Sequence, residues 1–465
     1  MRTFLGVVGF LLLASPVLGA ASFETEKIDT GLEIVMMESK KVPLVTIVLC
    51  SKAGGFTETP QTNGLTHLWE HMFFKGNKNL PDQEAFKRRI RQLGISYNGD
   101  TSAEKVRYYF TLPSVFLEEG LQFMADAIST PLLEEVELKK ERKVVMDEYD
   151  RSAASPSFDF RNLFREMIYG DQAYQRDPLG HRYLIEKATR EQLLQIKKEV
   201  FVPSNSAILV SGDFDKNNLM RLVKKHFGSW KDPTKNWQPV TRPALPNFPK
   251  SLDFVMARKN VRNASLRIVF EGPKARQAPM DTFAADALIS LLSHRSGKFY
   301  KKFIDSGKTY GAGLSYHTQS QAGEISVYAS TDPDKVAAIK KELMDEIPLW
   351  SKPGYFTDEQ LEDVRRSLLI GHKREMNSPS AYIKTLAFWW AVTGLDYYKD
   401  YLPNLRKTSF KDVQGFVNKW MVGKPSISGT LMSPEDAKKH KIKVTSEILE
   451  KKFLSNYRKS SNERS

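Results

Sequence analysis

The sequence predicts a protein of mixed strands and helices that is made of two related domains, and three observations support this expectation. A chain of 465 residues exceeds what a single hydrophobic core normally supports. The segment PSNSAILVS recurs in altered form as PSISGTLMS, at an offset of 222 residues from Pro203 to Pro425. Within the first copy, apolar β-branched segments alternate with segments of helical periodicity. Two copies of one domain, each of about 210 residues, are therefore expected.

Strands and helices can be assigned in order along the first copy. Enrichment in apolar and β-branched residues predicts strands at Ile34–Met37, Leu44–Cys50 and Val106–Leu112. Composition and periodicity predict helices around residues 64–75, 82–93, 115–128 and 134–150. Cys50 is the only cysteine, so no intramolecular disulfide can form, and its apolar strand predicts a small buried core residue.

The ends of the two domains follow from changes in composition. Residues 1–21 combine Arg2 with a short apolar run and small residues before the expected cleavage point, which is typical of a cleaved export signal. The proline-rich stretch at residues 231–250 is typical of a linker, so we expect a first domain at 22–230 and a second at 251–465. An exported protein without disulfides fits a periplasm, or a secreted setting, once the signal is removed.

Composition and charge exclude several classes of protein. The chain is 41% hydrophobic and 27% charged, and its strongly apolar run is too short to span a bilayer, so no membrane span is expected. The formal net charge is +14, but the lysines are scattered and no nucleic-acid-binding signature accompanies them, so no nucleic-acid partner is expected. The positive charge favours solubility, weak attraction to anionic surfaces or an acidic peptide substrate.

The segment HLWEH, which begins at His67 and ends at His71, is the strongest functional signal in the chain. On a helix, residues four apart lie one above the other, so the two histidines can bind one metal ion. Glu70 projects from nearly the same face and can take a proton from a water that the metal activates. The flanking Gly64 and Gly76 predict where the helix starts and stops. Two histidines at this spacing also arise by chance, in which case both would be ordinary core or surface residues.

A catalytic zinc ion usually takes three protein ligands and one water, so a third ligand must lie elsewhere in the chain. The helical segment at residues 134–150, EEVELKKERKVVMDEYD, is rich in carboxylates. Glu141 and Glu148 are seven residues apart, which is two helical turns, and therefore share a face. Most charges on such a helix belong to a solvated face, and spacing alone does not single out either glutamate.

Two segments together resemble a known family of proteases. They are GLTHLWEHMFFKG at residues 64–76 and ERKVVMDE at residues 141–148. These segments are similar to those of the pitrilysin family, which includes insulin-degrading enzyme and the mitochondrial processing peptidases. The resemblance implies that zinc is bound by His67, His71 and Glu148, which stands 77 residues after His71. It also implies that Glu141 is a supporting carboxylate that orients a histidine or the water.

The same resemblance implies an α+β fold in each of two homologous domains, with a mainly antiparallel sheet and helices packed on one face. At an offset of 219 residues, the positions in the second copy that face the histidines and glutamate of the motif are Asp286, Ile289 and Ser290. These side chains cannot rebuild the zinc site. Only the first domain is therefore expected to be catalytic.

The resemblance also assigns residues that contact the substrate. The segment YNGDTS at residues 97–102 is similar to the family's substrate-binding edge strand, in which Asn98 would contact the peptide main chain. Tyr310, in the second domain, stands where the family's tyrosine helps to hold the substrate carbonyl as it becomes an oxyanion. Many relatives carry an arginine a few residues before this tyrosine, whereas this chain has Asp305.

Family members of this size assemble as dimers that enclose a chamber, and in some bacterial pairs a zinc-free chain supplies an Arg/Tyr pair. The resemblance therefore implies a homodimer or a heterodimer, and Asp305 leaves both open. The implied activity is zinc-dependent endopeptidase hydrolysis of unfolded peptides or small polypeptides, with Glu70 as the general base for a metal-activated water. Two alternatives remain: a heterodimer subunit that is inactive alone, and a non-catalytic peptide-binding or assembly subunit that keeps zinc for stability.

Overall fold

The structure, a computed structural model, describes residues 23–170, 172–241 and 250–454. The predicted export signal and residues 242–249 of the predicted linker lie outside the described residues. Within the described ranges, no helix is long and apolar enough to cross a membrane.

The first half of the chain folds into one sheet with helices packed on it. Its strands are β1 (Glu24–Lys27), β2 (Glu33–Glu38), β3 (Leu44–Ser51), β4 (Ser96–Thr101), β5 (Val106–Pro113) and β6 (Ser206–Gly212). Its helices are α1 (Leu65–Met72), α2 (Gln83–Gln92), α3 (Leu117–Ser129), α4 (Glu135–Ala153), α5 (Phe158–Tyr169), α6 (Arg182–Lys187), α7 (Arg190–Val200) and α8 (Lys216–Phe227). The strands and helices predicted for this half are all present, with their ends shifted by a few residues.

The second half repeats this organisation. Its strands are β7 (Leu252–Ala257), β8 (Ala264–Glu271), β9 (Gly311–Thr318), β10 (Gly323–Thr331) and β11 (Ser426–Met432). Its helices are α9 (Pro279–Leu292), α10 (Lys298–Tyr300), α11 (Val336–Glu346), α12 (Asp358–Met376), α13 (Pro379–Val392), α14 (Leu395–Lys399), α15 (Tyr401–Lys407), α16 (Phe410–Trp420), α17 (Pro434–Lys439) and α18 (Ser446–Leu449). The two repeated sequence segments form the equivalent strands β6 and β11.

Five strands follow the same order in both sheets, which agrees with the internal repeat, and the first sheet has β1 as an additional edge strand. The first has the order β1-β2-β6-β3-β5-β4, and the second has the order β7-β11-β8-β10-β9. In each sheet one neighbouring pair is parallel, β2 with β6 and β7 with β11, and the other pairs are antiparallel. The α+β fold with mainly antiparallel sheets is therefore confirmed. β4 and β9 are edge strands, so each has one side without a partner strand in the described chain.

Alternating residues of each strand divide between the two faces of the first sheet, as the pleat requires. Ile34, Met36 and Ile47 point into the core that this half forms with its own helices. Val35 and Cys50 point to the opposite face and are also buried. Cys50 is thus the core residue that the sequence predicted.

The two halves cover each other's sheets in a reciprocal way. α13 of the second half packs on β3 and β6 of the first sheet, with Tyr382 and Trp390 in the buried contact. α5 of the first half packs on the second sheet, where Phe164 contacts Phe254. Each domain therefore depends on a helix of the other to bury its second face, and this exchange fixes the relative position of the two sheets.

Candidate metal centre

Helix α1 carries both histidines, and a carboxylate outside the helix fixes its start. Gly64 adopts a left-handed conformation with φ 97°, and a Cβ there would lie 2.7 Å from the Cα of Gly180. The buried carboxylate of Glu58 accepts hydrogen bonds from the amides of Gly64 and Thr66, at 2.9 and 2.8 Å, and from the side-chain amide of Asn63 at 2.8 Å. Negative charge and hydrogen-bond acceptors are favoured at a helix N-terminus, where amides lack partners within the helix.

The structure brings together His67, His71 and Glu148, which we call the metal cluster. The Nε2 atoms of both histidines lie 3.6 Å from Oε2 of Glu148. One ligand atom from each residue lies within 4.8 Å of the other two. Glu148 reaches this position because α4 packs alongside α1. Within the part of the chain that the structure describes, this is the one group of three such side chains close enough to hold a metal ion.

Glu141 orients His71 by a hydrogen bond to Nδ1, the ring nitrogen that does not face Glu148. Its Oε2 lies 3.0 Å from Nδ1 of His71, and its Oε1 pairs with Nζ of Lys75 at 2.6 Å. Burial alone would raise the pKa of Glu141, but the hydrogen bonds from His71 and Lys75 outweigh burial and lower it. The ionised carboxylate therefore accepts the Nδ1 proton, which leaves the lone pair of Nε2 directed towards Glu148.

The donor set of the metal cluster fits zinc. Two imidazole nitrogens and one carboxylate oxygen form a ligand set of catalytic zinc sites and leave a fourth position for water. Burial lowers the pKa of His67 to about 4, so its imidazole is neutral at neutral pH and able to bind a cation. Nδ1 of His67 is buried and has no hydrogen-bond partner among the described residues. His71 is therefore the more firmly oriented of the two histidines.

Glu70 lies beside the metal cluster and contacts the edge strand β4. Its side chain is 7% exposed, and burial raises its pKa to about 7. The hydroxyl of Thr101 donates a hydrogen bond to Oε2 of Glu70 at 2.9 Å. A Cβ on Gly99 would lie 2.4 Å from Oε1 of Glu70, so only glycine leaves room for the carboxylate. A carboxyl group with a pKa near neutral can both accept and return a proton.

Asn98 lies on β4 with an exposed side chain. Its Oδ1 accepts a hydrogen bond from the amide of Gly99 at 2.9 Å. Side chains alternate along a strand, so Asn98 points to the face opposite Gly99 and Thr101, which meet Glu70. The contact predicted between Asn98 and a peptide main chain stays a prediction.

Tyr310 lies in the second half, directly before the edge strand β9. It is 65% exposed, and its hydroxyl donates a hydrogen bond to Oδ1 of Asp332 at 2.6 Å. This hydrogen bond raises the pKa of Tyr310. Across the described ranges, its hydroxyl forms no hydrogen bond with the metal cluster. The hydroxyl of Tyr310 thus has Asp332 as its partner, and the predicted role of Tyr310 at the substrate carbonyl stays a prediction.

In the second half of the chain, the residue equivalent to His67 forms a contact of a different kind. Asp286 is on α9, and its Oδ2 accepts a hydrogen bond from the hydroxyl of Tyr401 at 2.8 Å. Burial raises the pKa of Asp286 to about 6. The aspartate thus belongs to a buried tyrosine contact between α9 and α15.

Sequence reasoning missed several residues that position the site. Gly99 and Thr101 stand in the segment assigned to the substrate strand, but their contact with Glu70 depends on how β4 passes α1. Lys75 follows the motif at helical spacing, which is a weak signal for its contact with Glu141. Glu58 has no local signal, because a loop folds it back onto the helix start.

Comparison with known proteins gives matches along most of the chain. The sequence profile described as insulinase (Peptidase family M16) matches residues 34–184. The profile described as Peptidase M16 inactive domain matches residues 187–368. The zinc protease PqqE of Helicobacter pylori is 25% identical over 400 residues, which cover 85% of this chain and 85% of that protein.

Solved structures show the same fold. A protease from Helicobacter pylori superposes with a TM-score of 0.81 at 21% identity, covering 89% of this chain and 99% of that chain. The periplasmic protease PqqL from Escherichia coli gives a TM-score of 0.76 at 18% identity, covering 95% of this chain and 50% of that chain. At these identities the likeness concerns the fold alone.

Proposed function

The chain belongs to the M16 (insulinase) peptidase family, and from this premise we propose that it is a zinc-dependent endopeptidase that hydrolyses unfolded peptides or small polypeptides. The observation that carries this proposal is the convergence of His67, His71 and Glu148 beside the buried Glu70. A structural zinc site would not need a buried carboxyl group next to its ligands with a pKa near 7.

The metal cluster would hold the zinc ion, with Glu141 keeping His71 in the orientation that binding requires. When bound, zinc would polarise the peptide carbonyl and lower the pKa of a water molecule to roughly 7. Glu70 takes a proton from the attacking water and passes it to the nitrogen of the leaving amine. Thr101 holds Oε2 of Glu70, so Oε1 is the oxygen available for this transfer.

The peptide would bind as an added strand along the open side of β4. Main-chain hydrogen bonds supply most of the affinity in this mode and require little of the peptide sequence. Gly99 and Thr101 face Glu70, so a peptide on this edge passes next to the base. Only an extended segment fits such an edge, which favours unfolded peptides over folded proteins.

We assign the reaction to a first domain at residues 22–230, joined by a linker at 231–250 to a second domain at 251–465. We also propose that residues 1–21 direct export and that the protein works in the periplasm or outside the cell. The composition of residues 1–21, with Arg2 before a short apolar run and small residues at its end, supports this location.

We further propose that the chain works as a dimer around an enclosed chamber. Tyr310 is exposed and bound to Asp332, away from hydrogen-bonding contact with the metal cluster, so a second chain would supply this tyrosine. A homodimer would supply another copy of Tyr310, whereas a zinc-free relative would supply an Arg/Tyr pair. Asp305, in the place of the family's arginine, favours a second candidate function, that of a heterodimer subunit with little activity alone.

A quenched-peptide assay tests the proposal on the mature chain loaded with zinc. The parent should cleave an unfolded peptide, with a related zinc-free chain added where the chain alone cleaves poorly, and a chelator should abolish cleavage. Glu70→Gln should keep its zinc and lose the activity, because the ligands are intact and the base is absent. A chain that binds zinc yet cleaves nothing, alone or with a related zinc-free chain, would instead be a non-catalytic peptide-binding or assembly subunit.

A further inference from the structure

A cavity of about 550 Å³ lies between the two halves of the chain, at the end of β4. The turn after β4 lines it with residues 102–105, α5 lines it with Arg161 and Arg165, and the second half lines it with Arg267. The residues of the metal cluster and Glu70 are not part of its lining. The cavity is thus distinct from the reaction site and has no role in the mechanism described above.

The cavity continues the path that a peptide would follow along β4. Ser102, its first lining residue, directly follows Thr101, whose hydroxyl lies 2.9 Å from Oε2 of Glu70. Since the cavity begins one residue after Thr101, and a strand advances about 3.4 Å per residue, a peptide whose scissile bond lies beside Glu70 reaches the cavity within about five residues. A side chain at that distance can enter the cavity while the main chain stays on the strand edge.

A buried contact between the two halves holds the cavity in shape. Glu104, in the turn after β4, is 2% exposed. Its carboxylate accepts hydrogen bonds from the hydroxyl of Tyr174, and from the amide and hydroxyl of Ser320 at 3.1 and 2.6 Å. Ser320 belongs to the turn between β9 and β10 of the second half. Because the turn is fixed from both halves, the cavity is formed before a ligand arrives, which lowers the entropic cost of binding.

Cationic side chains outnumber carboxylates in the lining. The cations are Lys105, Arg161, Arg165, Arg176 and Arg267. The carboxylates of the lining are Glu104 and Glu324, and both are engaged, the first by Ser320 and the second by an ion pair with Arg267. Lys105 and Arg165 also pair with Asp100 and Asp177, which lie outside the lining.

Arg161 is the lining arginine best placed to meet an incoming anion. Its side chain is exposed, and its Nη1 donates a hydrogen bond to the hydroxyl of Ser157 at 2.6 Å. Among the described residues it forms no ion pair with a carboxylate. A guanidinium group offers five N–H donors in a planar fork that suits a carboxylate, so most of its donors are available.

We propose that this cavity is a specificity subsite that binds an acidic side chain of the peptide, with Arg161 as the main contact. The inference rests on the endopeptidase function proposed above, and it adds a substrate class. The peptide would carry aspartate or glutamate within about five residues of the scissile bond. A glutamine at the same position would keep the shape and lose the charge-assisted hydrogen bonds.

The test uses the full mature chain and sets of peptides that are identical except at one position. Glutamate, glutamine or lysine is placed at each position up to about five residues from the scissile bond, on either side. One measurement is kcat/KM with zinc, and the other is fluorescence anisotropy of labelled peptides bound to chelator-treated protein, which needs no catalysis. The variants are Arg161→Ala and Arg161→Glu. Arg221→Ala is the matched control, since Arg221 is an exposed helical arginine that also donates to a neutral side chain one turn earlier, that of Asn218 at 2.8 Å.

The parent should prefer glutamate to glutamine at one position by about fivefold, which corresponds to about 1 kcal/mol. Arg161→Ala should remove this preference, Arg161→Glu should favour lysine, and Arg221→Ala should match the parent. Added salt should weaken the preference, because the contact is electrostatic.

Equal binding and cleavage of glutamate and glutamine peptides at every position would overturn the subsite, and so would a preference that both Arg161 variants retain. Zinc-dependent cleavage without any preference removes the subsite and leaves the endopeptidase function intact. A glutamate preference in anisotropy without cleavage of any peptide, either by the chain alone or with a related zinc-free chain, supports the subsite and removes the endopeptidase function.

Discussion

Gly99→Ala tests whether Glu70 works from the position that the edge strand leaves open to it. The added Cβ would lie 2.4 Å from Oε1 of Glu70, whereas ordinary van der Waals contact starts at 3.4 Å. The carboxylate must therefore retreat by about 1 Å, and a displacement of that size at a catalytic group costs about a hundredfold in rate. The corresponding change in activation free energy is about 3 kcal/mol.

The assay compares kcat, KM, zinc content and melting temperature of Gly99→Ala with those of the parent. We expect kcat to fall by about a hundredfold with zinc retained, since the substitution does not touch the metal cluster. The backbone at Gly99 is not left-handed, so alanine adopts it without strain and the fold should persist. Gly371→Ala is the control, because a Cβ at this exposed helical position meets nothing within 4 Å. A Gly99→Ala enzyme with the kcat of the parent would refute the placement of Glu70 as the base.

Further predictions concern the support of the site and its partner. Glu141→Gln should weaken zinc binding by about 10- to 100-fold, because His71 loses its charged hydrogen-bond acceptor. Competition with a chelator measures the zinc affinity, and an unchanged affinity would show that His71 does not need this carboxylate. Glu58→Ala should destabilise the fold by about 1 to 3 kcal/mol, since buried amides at the start of α1 lose their acceptor, and an unfolding midpoint equal to that of the parent would contradict this role. The purified chain should cleave poorly alone and gain activity with a related zinc-free chain, because Asp305 stands in the place of the family's arginine and the hydroxyl of Tyr310 is bound to Asp332. A mass measurement coupled to the peptidase assay checks this, and full turnover by the lone chain would remove the need for a partner.

Local geometry explains what the sequence could predict about the site. His67 and His71 lie within one helix, so their spacing alone sets the shared face on which a metal can bind. The strands β2, β3 and β5 were likewise predictable, because apolar and β-branched residues mark them. Glu148 is different, since only the packing of α4 against α1 decides which of many carboxylates reaches the histidines, and the family resemblance supplied that choice.

Contacts between distant segments explain what the sequence could not predict. Glu58 caps α1 through a loop, and Thr101 meets Glu70 through the position of β4 next to α1; neither contact follows a periodic pattern. The reciprocal packing of α5 and α13 depends on the arrangement of the two sheets, although both helices are apolar enough to be buried. Glu104 is a charged residue in a turn, where composition predicts exposure, and it is buried because Ser320 of the other half supplies its donors.

The most direct test of the account is an anomalous difference map, recorded at the zinc absorption edge, from a crystal of the mature chain. The account predicts one peak at about 2.0 to 2.2 Å from Nε2 of His67, from Nε2 of His71 and from a carboxylate oxygen of Glu148. A zinc-loaded crystal whose map shows no peak there, or in which Glu148 points away from both histidines, would contradict it.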